Sequence, residues 1–113
     1  MKSPLTGYRI LDLTSVIMGP FATQNLGDMG ADVIKVESPE GDLTRTIGPS
    51  RNLGMGAMYL NANRNKRSIV LDLKQADGRD ALLKLAQTAD VLVHSMRPQA
   101  MRRLQLDYPD LKA

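Results

Sequence analysis

Apolar residues in this chain fall in short runs separated by polar stretches that carry glycine and proline, and the two kinds of segment alternate. Arg9 to Leu13 carries Ile10, Leu11 and Leu13 and reads as a buried strand. Gly19-Pro20 breaks the chain, and Phe21 to Met29 predicts a helix of about two to three turns. Pro20 would open that helix, where its missing N–H is no loss, and Gly30 would end it in a left-handed conformation. Asp32 to Glu37, Ser68 to Leu73 and Ala89 to His94 read as three further strands. Between the last two, Ala81, Leu82, Leu85 and Ala86 recur at helical spacing, which predicts an amphipathic helix over Asp77 to Thr88. Pro98 opens a short helix over Gln99 to Leu104. Ser38 to Asn63, with Gly41, Gly48, Pro49, Gly54 and Gly56, is expected to be irregular, and a loop that long is functional or packs on something else.

Strands alternating with helices define an α/β fold with an open, mainly parallel sheet and flanking helices, since parallel strands need a crossover that a helix supplies. A length of 113 residues is that of one small domain, with 42% hydrophobic and 24% charged residues, as in an ordinary globular protein. Aromatics are only 4% with no Trp, so the core must come from Leu, Ile, Val, Met and Ala. The absence of Cys excludes disulfides and thiolate metal sites. No apolar run approaches the roughly 20 residues of a membrane span, and the N-terminus lacks the apolar core of a signal peptide, so no membrane association and a cytoplasmic location are expected.

The net charge of +3 matters less than its distribution, because the cations cluster in Arg64, Lys66 and Arg67 and again in Arg97, Arg102 and Arg103. Local clusters suit an anionic ligand, whereas no helix-turn-helix, zinc or aromatic-interleaved basic pattern supports a nucleic-acid partner. The first cluster is equally consistent with surface salt bridges. The turn from Thr14 to Pro20 leads from a strand's carboxyl end into a helix N-terminus, the edge where open α/β sheets bind ligands and where free N–H groups favour anions. It is also consistent with a plain tight connection. With Gly19 alone it is not GxGxxG, and no GxxxxGK[ST] is present, which argues against dinucleotide and P-loop readings. His94 ends an apolar strand and reads as structural, while Asp12 and Asp72, inside predicted strands, suit backbone hydrogen bonding better than acid–base chemistry.

Three blocks in order carry a resemblance. LTGYRILDLTSVIMGPFATQNLGDMGADVIKVESPEGDLTR, then NRNKRSIVLDLK, then ADVLVHSMRPQAMRRLQLDY resemble the opening of class III (CaiB/BaiF-type) CoA-transferases, over nearly the whole chain. Asn65 and Gln105 stand where that pattern has Gly, Gln99 replaces the Gly after Arg-Pro, and His94, Ser95 and Met96 replace Glu-Asn-Phe. The resemblance implies a Rossmann-like large domain, of which residues 1–113 would be the N-terminal portion, with the catalytic region and small domain absent.

It further implies a coenzyme A site to which Ser15, Val16, Ile17 and Met18 contribute from the first βα turn, Leu71 and Lys74 from the LDLK segment, and Ser95, Met96, Arg97 and Arg103 from the last block. Coenzyme A carries roughly three to four negative charges in its phosphates, which Arg can pair bidentately and Lys as a point charge. CoA or acyl-CoA enters as substrate, with no tightly bound cofactor and no metal. The implied reaction moves CoA between an acyl-CoA and a carboxylic acid through an aspartyl-CoA thioester, on a nucleophilic aspartate expected beyond Ala113. An interlocked homodimer is expected for the full-length protein, and an inactive fragment for this chain alone. α-Methylacyl-CoA racemases share the pattern, and a non-catalytic CoA- or nucleotide-binding module is the other alternative.

Overall fold

The computed structural model describes residues 2–112, so Met1 and Ala113 of the expected 1–113 portion, and any nucleophile beyond them, lie outside the described residues. The strands are β1 (Arg9–Asp12), β2 (Asp32–Glu37), β3 (Lys66–Val70) and β4 (Val91–Val93). The helices are α1 (Met18–Asp28), α2 (Ala57–Ala62), α3 (Ala76–Ala86), α4 (Pro98–Arg103) and α5 (Tyr108–Lys112). The strands form one sheet in the order β3-β2-β1-β4, with every neighbouring pair parallel. The α/β class and open parallel sheet expected from the alternating pattern are therefore present.

The strand order creates a switch point. The chain steps outward from β1 to β2 to β3, then returns through α3 to lay β4 on the free side of β1. Connections leaving β1 and β4 consequently depart in opposite directions, opening a crevice at their carboxyl ends.

Side chains alternate across the sheet. Leu11, Leu13, Ile34 and Val36 share one face with Leu82, Met101 and Leu106, and Ile69, Leu73, Leu92 and Leu104 pack around them. Ile10 and Val33 occupy the other face, with Ala31 and Leu26 of α1. That second face changes character along the strands. Beyond Ile10 and Val33 it continues as Asp12, Lys35 and Glu37, and the register brings Lys66 and Ser68 of β3 alongside. The buried charges Asp12, Lys35 and Glu37 thus lie toward the carboxyl edge, and Lys66 reaches Asp12 from the start of β3.

Several boundaries differ from expectation. Helix α1 starts at Met18, so Pro20 occupies its third position, still inside the first turn where an N–H has no partner. Gly30 does leave α1 at φ 99°. Strand β3 begins at Lys66 and ends at Val70 rather than spanning Ser68 to Leu73, because its polar residues enter the buried charge cluster while Leu71 and Leu73 leave the sheet to pack on the core. Asp72 therefore lies in a turn and not in a strand, its carboxylate accepting the Lys74 N–H at 3.1 Å. The stretch expected to be irregular contains a 3₁₀ turn, Leu43–Thr46, and helix α2. Helix α4 starts on Pro98, as its position before a polar helical stretch implied.

Candidate functional site

Three ion pairs, two fully buried and one partly so, underlie the carboxyl edge of the sheet. Lys66 Nζ meets Asp12 Oδ2 at 2.8 Å with the side chains 2% and 0% exposed. Lys66 also donates to the Pro20 and Asn63 oxygens, at 2.9 Å each. Asp12 in turn accepts from the Thr14 N–H at 2.9 Å, the Thr14 hydroxyl, and the Thr23 hydroxyl at 2.6 Å. Burial would raise the Asp12 pKa, but the donors Lys66, Thr14 and Thr23 together hold it below the ordinary carboxylate value. Strand β1 is thereby bolted to the first turn of α1 and to β3.

The second pair joins Lys35 to Asp42 at 2.8 Å, each side chain 1% exposed. Asp42 also accepts the N–H of Thr44 at 3.0 Å and its hydroxyl at 2.7 Å, capping the 3₁₀ turn. Burial opposes its ionisation and the bonds from Lys35 and Thr44 outweigh it, so its pKa is lowered. The third pair is Glu37 with Arg45, 2.7 Å apart. Arg45 lies 3.8 Å over the Tyr59 ring, and Glu37 also accepts from Ser68 Oγ at 3.0 Å. The same balance lowers the Glu37 pKa: burial raises it, and Arg45, the Asp42 N–H and Ser68 more than compensate.

Above these pairs runs the turn from Thr14 to Met18. Thr14 is buried, whereas Ser15, Val16, Ile17 and Met18 are exposed. Val16 adopts φ 73°, a conformation that a β-branched residue rarely takes. Gly19 has a steric reason: a Cβ there would lie 2.3 Å from Thr14 Cβ, so only glycine lets the helix start against the turn.

A cleft of about 870 Å³ opens between α3 and α4, lined by Leu73, Lys74, Arg79, Met96, Arg97 and Arg103, with Gln99 and Gln105 at its polar wall. Its lining carries four cations and no carboxylate. Among the residues proposed for coenzyme A, this cleft gathers Lys74, Met96, Arg97 and Arg103. Ser15 to Met18 follow β1 and Ser95 follows β4, on either side of the switch point. Leu71 is placed differently. Its side chain packs toward the core, and its N–H donates to the Glu37 carbonyl at 2.9 Å.

The first basic cluster resolves into ion pairs. Arg64 pairs with Asp28 and Arg67 with Asp32, each at 2.7 Å, while Lys66 turns inward. Arg102 points to Asp107 at 3.5 Å and is absent from the cleft lining, in contrast to Arg103. His94 accepts the Met96 N–H at 3.2 Å, a local structural bond. Arg79 and Gln105 were not anticipated; their side chains hydrogen-bond to each other on the cleft wall. Gln105 sits at φ 55°, and its replacement of a family glycine was the signal that the position is conformationally special. Among the described residues no group of three or more His, Cys, Asp or Glu could hold a metal, and no helix is long and apolar enough to cross a membrane.

A four-stranded parallel sheet with a switch point and flanking helices defines an open α/β protein, with an uncapped helix start and a cationic cleft at its carboxyl edge. Residues 5–113 match the model of CoA-transferase family III, and the chain belongs to that family. It is 48% identical over 109 residues to the human succinyl-CoA:glutarate CoA-transferase, a match that covers 96% of this chain and 25% of that protein. It is 45% identical to a succinate–glutarate CoA-transferase of Agrobacterium fabrum, over 98% of this chain and 30% of the relative. A CaiB/BaiF family protein from Brucella suis superimposes with a TM-score of 0.93 at 40% identity, covering 99% of this chain and 31% of its own. A hypothetical protein of Mycobacterium tuberculosis gives 0.88 at 43% identity, covering 97% and 30%. The chain thus spans between a quarter and a third of the length of these relatives.

Proposed function

We propose that this chain supplies part of the coenzyme A site of a CoA-transferase that moves CoA between an acyl-CoA and a carboxylic acid. The observation that carries the proposal is the coincidence, at one sheet edge, of the switch point with a cleft holding Lys74, Arg79, Arg97 and Arg103. In this reading the phosphates of the coenzyme meet Lys74, Arg97 and Arg103, and Met96 and Leu73 face the apolar side of the adenosine. Ser95 lies beside the pantetheine, which passes toward Ser15, Val16, Ile17 and Met18. The carbonyl of Leu71 contributes from the end of β3.

The acyl transfer is assigned to an aspartate outside residues 2–112. Its carboxylate attacks the thioester carbonyl of the acyl-CoA and expels the CoA thiolate, leaving a mixed anhydride. The thiolate then attacks the aspartyl carbonyl, releasing the first acid and forming an aspartyl-CoA thioester. The acceptor carboxylate repeats the sequence in reverse, so one acyl exchange is divided into easier steps. The whole protein is proposed to work in the cytoplasm as an interlocked homodimer, with CoA bound only as substrate.

Glutarate, named in two of the relatives, heads a panel of small carboxylic acids in the test. The protein expressed from its complete coding frame is incubated with succinyl-CoA and, separately, glutarate, mesaconate and oxalate, and new thioesters are resolved by chromatography. At least one new acyl-CoA is expected. Failure with every acid, together with α-proton exchange into a 2-methylacyl-CoA, would overturn the transferase reading in favour of the racemase.

A further inference from the structure

We propose that Asp42 is the positioning residue of the first βα turn: with Lys35 it holds the backbone of Thr14 to Val16 in the bend that presents Ile17 and Met18 to the ligand. The inference rests on the coenzyme A reading of that turn. Asp42 belongs to the loop after β2, 26 residues away from Val16 in sequence, yet both of its carboxylate oxygens lie 3.3 Å from the Val16 N–H. Lys35, paired to the same carboxylate, donates to the Thr14 carbonyl at 3.0 Å. One buried ion pair therefore grips an acceptor and a donor on either side of Ser15.

The grip has something to hold. Val16 at φ 73° is in the left-handed region, where its branched Cβ crowds the backbone and where glycine is the ordinary occupant. Strain of this kind persists only where surrounding groups over-determine it, and it gathers at ligand-binding turns. Helix α1 begins two residues later with Ile17 at its N-cap, a residue with no side-chain acceptor, so the first N–H groups of α1 stay free for an anion or a carbonyl. Asp42 is itself fixed from below, since its own N–H donates to Glu37 Oε1 at 3.1 Å and Glu37 is clamped by Arg45. The chain of contacts runs from the Arg45–Glu37 pair, through Asp42, to the ligand-facing turn.

The test is a titration of CoA, followed by calorimetry, into the protein expressed from its complete coding frame. The variants are Asp42→Ala, Asp42→Asn, Val16→Gly and the double variant Val16→Gly/Asp42→Ala. Loss of the clamp is expected to weaken CoA by about tenfold in Asp42→Ala. Val16→Gly is expected to restore part of that loss in the double variant, because glycine adopts the bend without being held. A purely structural role for Asp42 would give no such rescue. Wild-type affinity in Asp42→Ala, or effects of the two changes that simply add, overturns the inference. Should Asp42→Ala fail to fold, Asp42→Asn, which keeps one acceptor oxygen for Val16 and Thr44 but loses the charge facing Lys35, is measured well below its own melting temperature. Weakened CoA binding there supports the clamp, and unchanged binding overturns it. A wild-type protein that takes up no CoA overturns the coenzyme reading itself, whereas binding that is indifferent to residue 42 overturns only the clamp.

Discussion

Asn65 and Gln105 both stand in the left-handed region, at φ 61° and 55°, and both replace a glycine of the family pattern. They do not bear the substitution equally. Asn tolerates this conformation through its short polar side chain, and here its Nδ2 donates to Asp28 at 2.8 Å. Gln has no such advantage, and its partner Arg79 is an exposed contact. Gln105→Gly is therefore expected to stabilise the protein by about 0.5–1 kcal/mol, read as a rise of melting temperature, while Asn65→Gly is close to neutral. The replaced glycines were visible in the sequence, but their backbone angles were not, because an angle depends on what the helix ends dock against. Gln99, the third replaced glycine, lies inside α4 and demands nothing unusual. The two adjacent arginines also separate at this scale. Arg103→Ala should weaken CoA binding by about tenfold through the loss of a charge-assisted phosphate contact, and Arg102→Ala, whose side chain turns to Asp107, should leave it unchanged.

At the scale of elements, strand pairing converts an ordinary-looking alternation into a buried charge cluster. The strands β1 and β2 were legible because Ile10, Leu11, Val33 and Ile34 are apolar on both faces, as parallel strands covered by helices require. The charges were legible only as charges. Asp12, Lys35 and Lys66 come from three strands, and nothing local records that register stacks them on one face. The same gap explains the shifted β3, whose first residues are polar because they serve that cluster. Helix α2 was hidden for a different reason: six residues after Gly56 give too little periodicity to read, and Tyr59 reveals its use only beneath Arg45. Breaking one of these pairs leaves a buried charge without its partner. Asp12→Ala is accordingly expected to cost about 3–5 kcal/mol in chemical denaturation, far more than Asp28→Ala in the exposed, solvent-screened Arg64 pair.

Across the whole molecule, Asp12, Glu37 and Asp42 all carry lowered pKa values in the folded state. A carboxylate held lower when folded than when unfolded contributes stability that is fully present above the unfolded value, about 4, and is lost as pH falls through the folded one. The denaturation midpoint should therefore be level near neutrality and fall steeply below about pH 4, with Asp12→Asn and Asp42→Asn flattening that acid limb. The buried acids among the acid-sensitive groups, Asp12, Glu37 and Asp42, lie at the carboxyl edge, so the same pH window should loosen the Thr14–Val16 turn before the apolar core. The arrangement as a whole makes one claim, that a cationic cleft beside the switch point receives coenzyme A. The most direct test is a titration of CoA into the protein expressed from its complete coding frame, with Lys74→Ala/Arg103→Ala measured in parallel. Saturable binding by the wild type that the double variant loses by at least tenfold is the predicted result. Equal binding by both proteins, or none by the wild type, would contradict the account.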